Sequence, residues 1–167
     1  VRAALRAAAR RGVKFLTLYA FSTENWGRPE KEVESLMELF CRSVVNETPE
    51  LIRQGVRVRM IGERSRFSPK VQRYLEEVEQ RTAGGQTLTL ILALNYSSRS
   101  EITRAVRRIA SRVEAGELGS GQITEATIDD ALDTAAYPDP DLIVRTSGER
   151  RLSNFLLWQA SIQHRSE

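Results

Sequence analysis

The sequence predicts an α/β fold: one domain with a mostly parallel central sheet flanked by helices. Three observations carry that prediction. Helical and strand-like stretches alternate at every step of the 167 residues. Two apolar runs, VKFLTLYAF (13–21) and TLTLILALNY (87–96), are continuous, as in strands covered on both faces. No repeat, low-complexity tract or Gly/Ser linker interrupts the chain, and its length suits a single core.

VRAALRAAARR (1–11) is Ala- and Arg-rich with Val1, Leu5 and Ala8 at helical spacing, and Gly12 ends it. A strand follows over 13–21. From Glu30 to Gln54, Val33, Leu36, Met37, Phe40, Val44 and Leu51 recur at three and four, which predicts a long amphipathic helix with an irregularity near Pro49. VRVRMIG (56–62) alternates, with Val56, Val58 and Met60 on one face and Arg57 and Arg59 on the other. SPKVQRYLEEVEQRTAG reads as a helix with Ser68 as N-cap, Pro69 at its first position and Gly84 beyond its end. After the strand at 87–96, SRSEITRAVRRIASRVEAGEL reads as a helix in which Ser98 and Glu101 have capping-box spacing. TIDDALDTAAY predicts a short helix, and DLIVRT (141–146) a last strand.

Composition sets limits on function. Apolar residues make up 41% and charged residues 28%, which excludes fibrous and mostly disordered classes. The 25 Lys and Arg against 22 Asp and Glu are mostly Arg, whose guanidinium forks suit anionic ligands. Because these arginines are scattered among glutamates, with no aromatic-interleaved basic stripe, no nucleic-acid partner is expected. A single cysteine, Cys41, excludes a disulfide framework and a cysteine-based zinc cluster, so the cytoplasm is the expected compartment. No apolar run is long enough to span a bilayer, leaving at most peripheral membrane contact. His164 has no Cys, Asp or His at ligand spacing, which argues against a metal role.

In parallel sheets ligands bind outside the carboxyl ends of the strands. STENWGR after Phe21, NYSSRSE after Leu94 and RTSGERRLSN after Val144 are therefore expected along one sheet edge. RTSGERRLSN gathers Arg145, Arg150 and Arg151 with Ser147, Gly148 and Ser153, the donors a phosphate needs; Ser153 before FLLW also has the position of an N-cap. A solvated charged turn is the alternative. In STENW, Asn25 and Ser22 can orient a reacting group and Trp26 can cover an apolar ligand. The other reading is a helix-entry turn with Trp26 buried.

LTLYAFSTENWGRP, ALNYSSRSEI and PDLIVRTSGERRLSNFLLWQ resemble three blocks of the cis-prenyltransferases, the isoprenyl transferase family that includes undecaprenyl diphosphate synthase. The resemblance covers residues 1–160 as a partial catalytic domain and leaves 161–167 as a divergent C-terminal tail. It implies cis-condensation of isopentenyl diphosphate with an allylic prenyl diphosphate to give polyprenyl diphosphate, with Mg2+, in a homodimer. A non-catalytic prenyltransferase-like binding subunit is the alternative. By the same resemblance Asn25 is the catalytic residue, removing a proton from the isopentenyl unit or orienting it. Ser22, Thr23, Glu24, Trp26 and Arg28 form the substrate loop, with Glu32 at the helix start behind it, and Arg145, Arg151, Leu152 and Ser153 contact diphosphate. Val33, Leu36, Leu39 and Phe40 line the tunnel for the growing chain. Family members carry an Asp-Gly-Asn motif before these blocks and an acidic aromatic strand with a Glu after them. Neither is in this sequence, so it is expected to be the middle of a family member, without the magnesium carboxylates and without turnover. Ser97 and Ser98 stand where the family usually has two glycines.

Overall fold

A computed structural model describes residues 2–145, 148 and 151–161. The chain divides into two compact units, Val1–Asn95 and Tyr96–Glu167. The first opens with helix α1 (Arg2–Arg10), strand β1 (Phe15–Ser22), a 3-10 turn over Thr23–Gly27 and the long helix α2 (Glu30–Arg53). Strand β2 (Val56–Ile61), helix α3 (Pro69–Arg81) and strand β3 (Leu88–Tyr96) complete the sheet. The expected α/β architecture with a parallel sheet and flanking helices is found.

The strand order is β1-β3-β2, and β2 runs parallel to β3 with Val56 opposite Leu88 and Ile61 opposite Ala93. β3 is the central strand, and Leu90 through Tyr96 are all buried. That accounts for its uninterrupted apolar sequence, because side chains on both faces meet protein. Val33 and Met37 of α2, Leu75 and Val78 of α3 and Leu5 of α1 join the strands in one hydrophobic cluster. Each fully buried side chain of this kind stabilises the fold by roughly 1.5–3 kcal/mol. Ser68 caps α3 as expected, its hydroxyl accepting the Val71 N–H.

α2 stays helical through Pro49, where an irregularity is expected from sequence. The missing N–H removes one helix bond, but Thr48 on one side and Leu51 on the other are buried, so packing holds the helix across it. At the end of β2, Gly62 has φ +108, and a Cβ there would lie 2.0 Å from the Leu94 carbonyl oxygen. Only glycine lets the chain leaving β2 pass this close to the end of β3.

In the second unit, helix α4 (Ser98–Glu114) packs through Ala105 and Ile109 against Ala131 and Leu132, with Trp158 at the edge of the cluster. The helix expected from TIDDALDTAAY is confined to α5 (Glu125–Asp129), capped by Thr124 and followed by turns. The strand expected at 141–146 is not formed over 141–145, and Thr146 lies outside the described residues. Leu142 and Val144 are 78% and 74% exposed. A strand needs a neighbour for its backbone groups and cover for its apolar face, and among the described residues no strand pairs with this segment and Leu142 and Val144 lack such cover.

Candidate functional site

In the first unit the loop after β1 is organised by its own side chains. The Asn25 Oδ1 accepts the Ser22 backbone N–H at 2.8 Å and the Ser22 hydroxyl at 3.1 Å. This is the returning half of a capping box: the third residue of the turn satisfies the backbone donor at its start. The arrangement fixes the amide, oxygen toward Ser22 and nitrogen away from it. Thr23 is half-buried and Glu24 is exposed. Tyr19 reaches the same turn; burial raises its phenol pKa and a hydrogen bond with Ser22 opposes the rise.

Trp26 is held from several sides. Its Nε1–H donates to Asn95 Oδ1 at 2.7 Å, and Asn95 Nδ2 donates to the Glu63 carbonyl at 2.8 Å. Its ring meets Phe21 edge-on at 5.3 Å and lies tilted against Phe67 at 5.8 Å, while the Arg66 guanidinium stands 4.4 Å over it. Sequence reasoning missed Arg66, Phe67 and Asn95 as partners of this loop. Asn95, inside the quoted ALNYSSRSEI block, was the one with a signal. Arg28 pairs with Glu32 at 2.7 Å, one helical turn on, with both side chains about half exposed.

Beside the loop, α2 and α3 enclose a groove of about 950 Å³ with Trp26, Arg28 and Arg66 at one end. Val33, Met37, Cys41 and Val45, four residues apart, form its α2 wall. Burial raises the Cys41 thiol pKa, and Lys70 partly offsets that. The apolar stripe read from sequence therefore splits between two faces of α2. Val33 lines this groove and is buried, Phe40 packs half-buried on the core, and Leu36 and Leu39 are 39% and 64% exposed.

In the second unit Arg145 donates to the Arg151 carbonyl and, at 2.6 Å, to the Ser153 hydroxyl. Arg145, Arg151, Leu152 and Ser153 are all exposed. The structure thus brings the Arg145 guanidinium to Ser153 and to the backbone of Arg151; Ser147 and Arg150 lie outside the described residues. Ser153 does not cap a helix, because residues 151–158 form turns in which Ser153, Asn154 and Leu156 all have φ between 48° and 63°. His164 also lies outside the described residues.

A buried polar network behind this segment went unpredicted. Glu101 is fully buried and accepts hydrogen bonds from the Tyr96 hydroxyl at 2.5 Å, the Asp133 N–H at 3.1 Å and Gln159 Nε2 at 3.2 Å. Gln159 Nε2 also reaches Thr134 Oγ1 at 2.7 Å, while its Oε1 is buried without a partner among the described residues. Asp133 is paired with Arg104 and lies 3.5 Å from Arg108. Burial raises the Glu101 pKa and holds the Tyr96 phenol far above its usual range, with Glu101 adding to the second effect. The capping box expected from Ser98 and Glu101 is not formed. Ser97 is the cap, accepting the Ser100 N–H at 3.2 Å, and Glu101 turns inward because its oxygens have three buried donors to satisfy.

The comparisons with known proteins agree with the resemblance. The Prenyltransf family model, whose description names undecaprenyl diphosphate synthase, matches residues 1–165. An isoprenyl transferase of Agrobacterium fabrum is 53% identical over 161 residues, 96% of this chain and 65% of its own length. The ditrans,polycis-undecaprenyl-diphosphate synthase ((2E,6E)-farnesyl-diphosphate specific) of Haemophilus ducreyi is 46% identical over 159 residues, 95% of this chain and 66% of that protein. The chain spans a little under two thirds of the length of these relatives. Among solved structures, lavandulyl diphosphate synthase from Lavandula x intermedia in complex with dimethylallyl diphosphate superposes with a TM-score of 0.89 at 35% identity, covering 93% of this chain and 67% of that one. With a family model matched along nearly its whole length and relatives at about half identity, this chain belongs to the undecaprenyl diphosphate synthase family of isoprenyl transferases.

Proposed function

We propose that the function is prenyl chain elongation: cis-condensation of isopentenyl diphosphate with an allylic prenyl diphosphate to give a polyprenyl diphosphate. The observation that carries the reading is that the Arg145 guanidinium is held at the Arg151 carbonyl and the Ser153 hydroxyl, with Arg145, Arg151 and Ser153 all exposed. Guanidinium forks meet phosphate oxygens in pairs and stay charged at every working pH, so such a cluster holds a diphosphate better than a neutral ligand.

The loop supplies a different function. Because Asn25 Oδ1 already accepts two hydrogen bonds from Ser22, the amide group left for a ligand is its NH2. A neutral amide so engaged is a poor base, which favours orientation of the isopentenyl unit over proton removal. Ser22, Thr23 and Glu24 shape the turn around it, and Trp26 with Arg28 would cover the substrate. The hydrocarbon end needs apolar surface, gaining about 0.8 kcal/mol per buried methylene. Leu36 and Leu39, exposed on consecutive turns of α2 beside Phe40, offer such a surface.

The family reading brings magnesium, a homodimer and a cytoplasmic setting with it. Among the described residues no three His, Cys, Asp or Glu side chains are grouped to hold a metal ion. No helix among them is long and apolar enough to cross a membrane.

Calorimetric titration of the 167-residue chain with isopentenyl diphosphate tests the reading. Arg151→Ala and Arg145→Ala should each weaken binding by about tenfold or more, as expected for a lost charged hydrogen bond. Equal affinity in parent and both variants would reject the diphosphate assignment.

A further inference from the structure

We infer that the buried hydroxyl of Ser98 is a positioning group for the anion-binding segment: it latches a strained turn at 153–156 to the start of α4 and so keeps Arg145, Arg151 and Ser153 together. The inference rests on the diphosphate reading of that segment.

Three of the four residues from Ser153 to Leu156 hold the left-handed conformation without being glycine: Ser153 at φ 48°, Asn154 at 63° and Leu156 at 48°. Side chains with a Cβ adopt this region at a cost, and a run of them persists only where the surroundings over-determine it. Here the surroundings come from α4 and the residues just before it. The Ser98 N–H donates to the Asn154 carbonyl at 2.9 Å, and the Arg99 N–H to Asn154 Oδ1 at 3.0 Å. The Leu157 N–H donates to Ser98 Oγ at 2.8 Å. The Leu156 backbone bonds the Tyr96 hydroxyl, and the Phe155 ring stands edge-on to Tyr96 at 6.0 Å.

These anchors are not equivalent. Any residue but proline at 98 and 99 supplies the two backbone donors. The acceptor for Leu157 exists only because position 98 carries a hydroxyl, and that hydroxyl is fully buried, where no water replaces it. At the other end of the turn Ser153 Oγ receives Arg145. The turn is thus a short rigid link, with the Ser98 latch on one side and the arginine-bearing cluster on the other. Loss of the latch would let the turn relax toward ordinary backbone angles and spread the cluster.

The test uses the 167-residue chain and inorganic pyrophosphate as the probe. Ser98→Ala keeps the backbone donor and removes only the oxygen; it should weaken pyrophosphate binding by about fivefold and speed hydrogen exchange at the Leu157 amide. Ile109→Val, which trims the α4 cluster without touching any hydrogen bond of the turn, should lower the melting temperature and leave pyrophosphate affinity unchanged. Asn154→Gly, which accepts the left-handed backbone at φ 63° without strain, removes the acceptor of Arg99 and should weaken pyrophosphate binding in the same direction. Affinity in Ser98→Ala or Asn154→Gly that moves no further than in Ile109→Val overturns the inference and leaves the diphosphate reading standing. A parent chain that does not bind pyrophosphate defeats the reading, and the inference falls with it.

Discussion

The loop at 22–28 and the turn at 151–159 both present polar side chains on irregular backbone, yet they are held in opposite ways. The first is closed by residues within three positions of one another, Ser22 with Asn25, and braced by the Trp26 ring on Phe21 and Phe67. The second has left-handed residues with a few local bonds, such as the Phe155 N–H to the Leu152 carbonyl, and it is anchored by Tyr96, Ser98, Arg99 and Glu101, more than 50 residues earlier in the chain. The Ser22–Asn25 closure of the first keeps its shape even when the distant contacts of Trp26 are lost. A remotely held turn does not. The difference predicts that damage to the network behind the second segment should cost more, and reach further, than damage of equal chemical size at the first.

The largest effect should come from Glu101→Ala. It takes the carboxylate from the Tyr96 hydroxyl, leaves the Asp133 N–H without its Glu101 acceptor and takes one of two acceptors from Gln159 Nε2, in a buried to part-buried setting. At 1–3 kcal/mol for each unsatisfied group, a loss of about 3 kcal/mol is expected. Urea titration followed by Trp158 emission reads it, and a loss below about 1 kcal/mol would mean that the carboxylate is not the hub it is taken to be. A middling effect is expected from Trp26→Phe, which keeps the aromatic packing but leaves the Asn95 oxygen without its indole donor. About 1–2 kcal/mol should be lost by denaturant titration followed through circular dichroism. A cost equal to that of Glu101→Ala would erase the contrast between the two regions.

The smallest effect is a slope. Burial raises the Glu101 carboxyl pKa in the folded protein, so the folded state binds that proton more readily than the unfolded one. The stability it contributes is fully present below the ordinary glutamate range and is lost as pH rises through the raised value. Glu101→Gln, which cannot titrate, should flatten this part of the stability profile from about pH 4.3 upward. Parallel profiles for parent and variant would show that Glu101 has an ordinary pKa.

The same contrast explains what the sequence made legible. Helices and strands in the first unit follow from periodicity and caps, and α1, β1, α2, β2, α3 and β3 fall within a few residues of where the pattern puts them. Ser22, Asn25, Trp26 and Arg28 stood out because the loop's chemistry is written in consecutive residues. The two readings of Trp26, lid or packed indole, meet halfway: it is half-buried on Phe21 and Phe67 yet lines the groove. Three misreadings belong to the second unit. DLIVRT has a strand's alternation, but pattern cannot say whether a partner exists to pair with it. Glu101 has capping-box spacing, but Gln159, 58 residues away, and Asp133 draw it inward. Ser153 has an N-cap's place, but the next residues turn left-handed. These errors come from local rules applied where the outcome depends on distant partners, which Glu101 has and DLIVRT, among the described residues, has not, and which single-sequence reasoning cannot see.

Gly62 shows how little slack the first unit leaves at the mouth of its loop. The atom it lacks would collide with a carbonyl 2.0 Å away, and the chain just beyond it supplies Glu63, whose carbonyl receives Asn95, the residue that fastens Trp26. Position 62 is therefore a gauge of this arrangement: any side chain introduced there would force the end of the third strand to move, and with it the seat of Trp26.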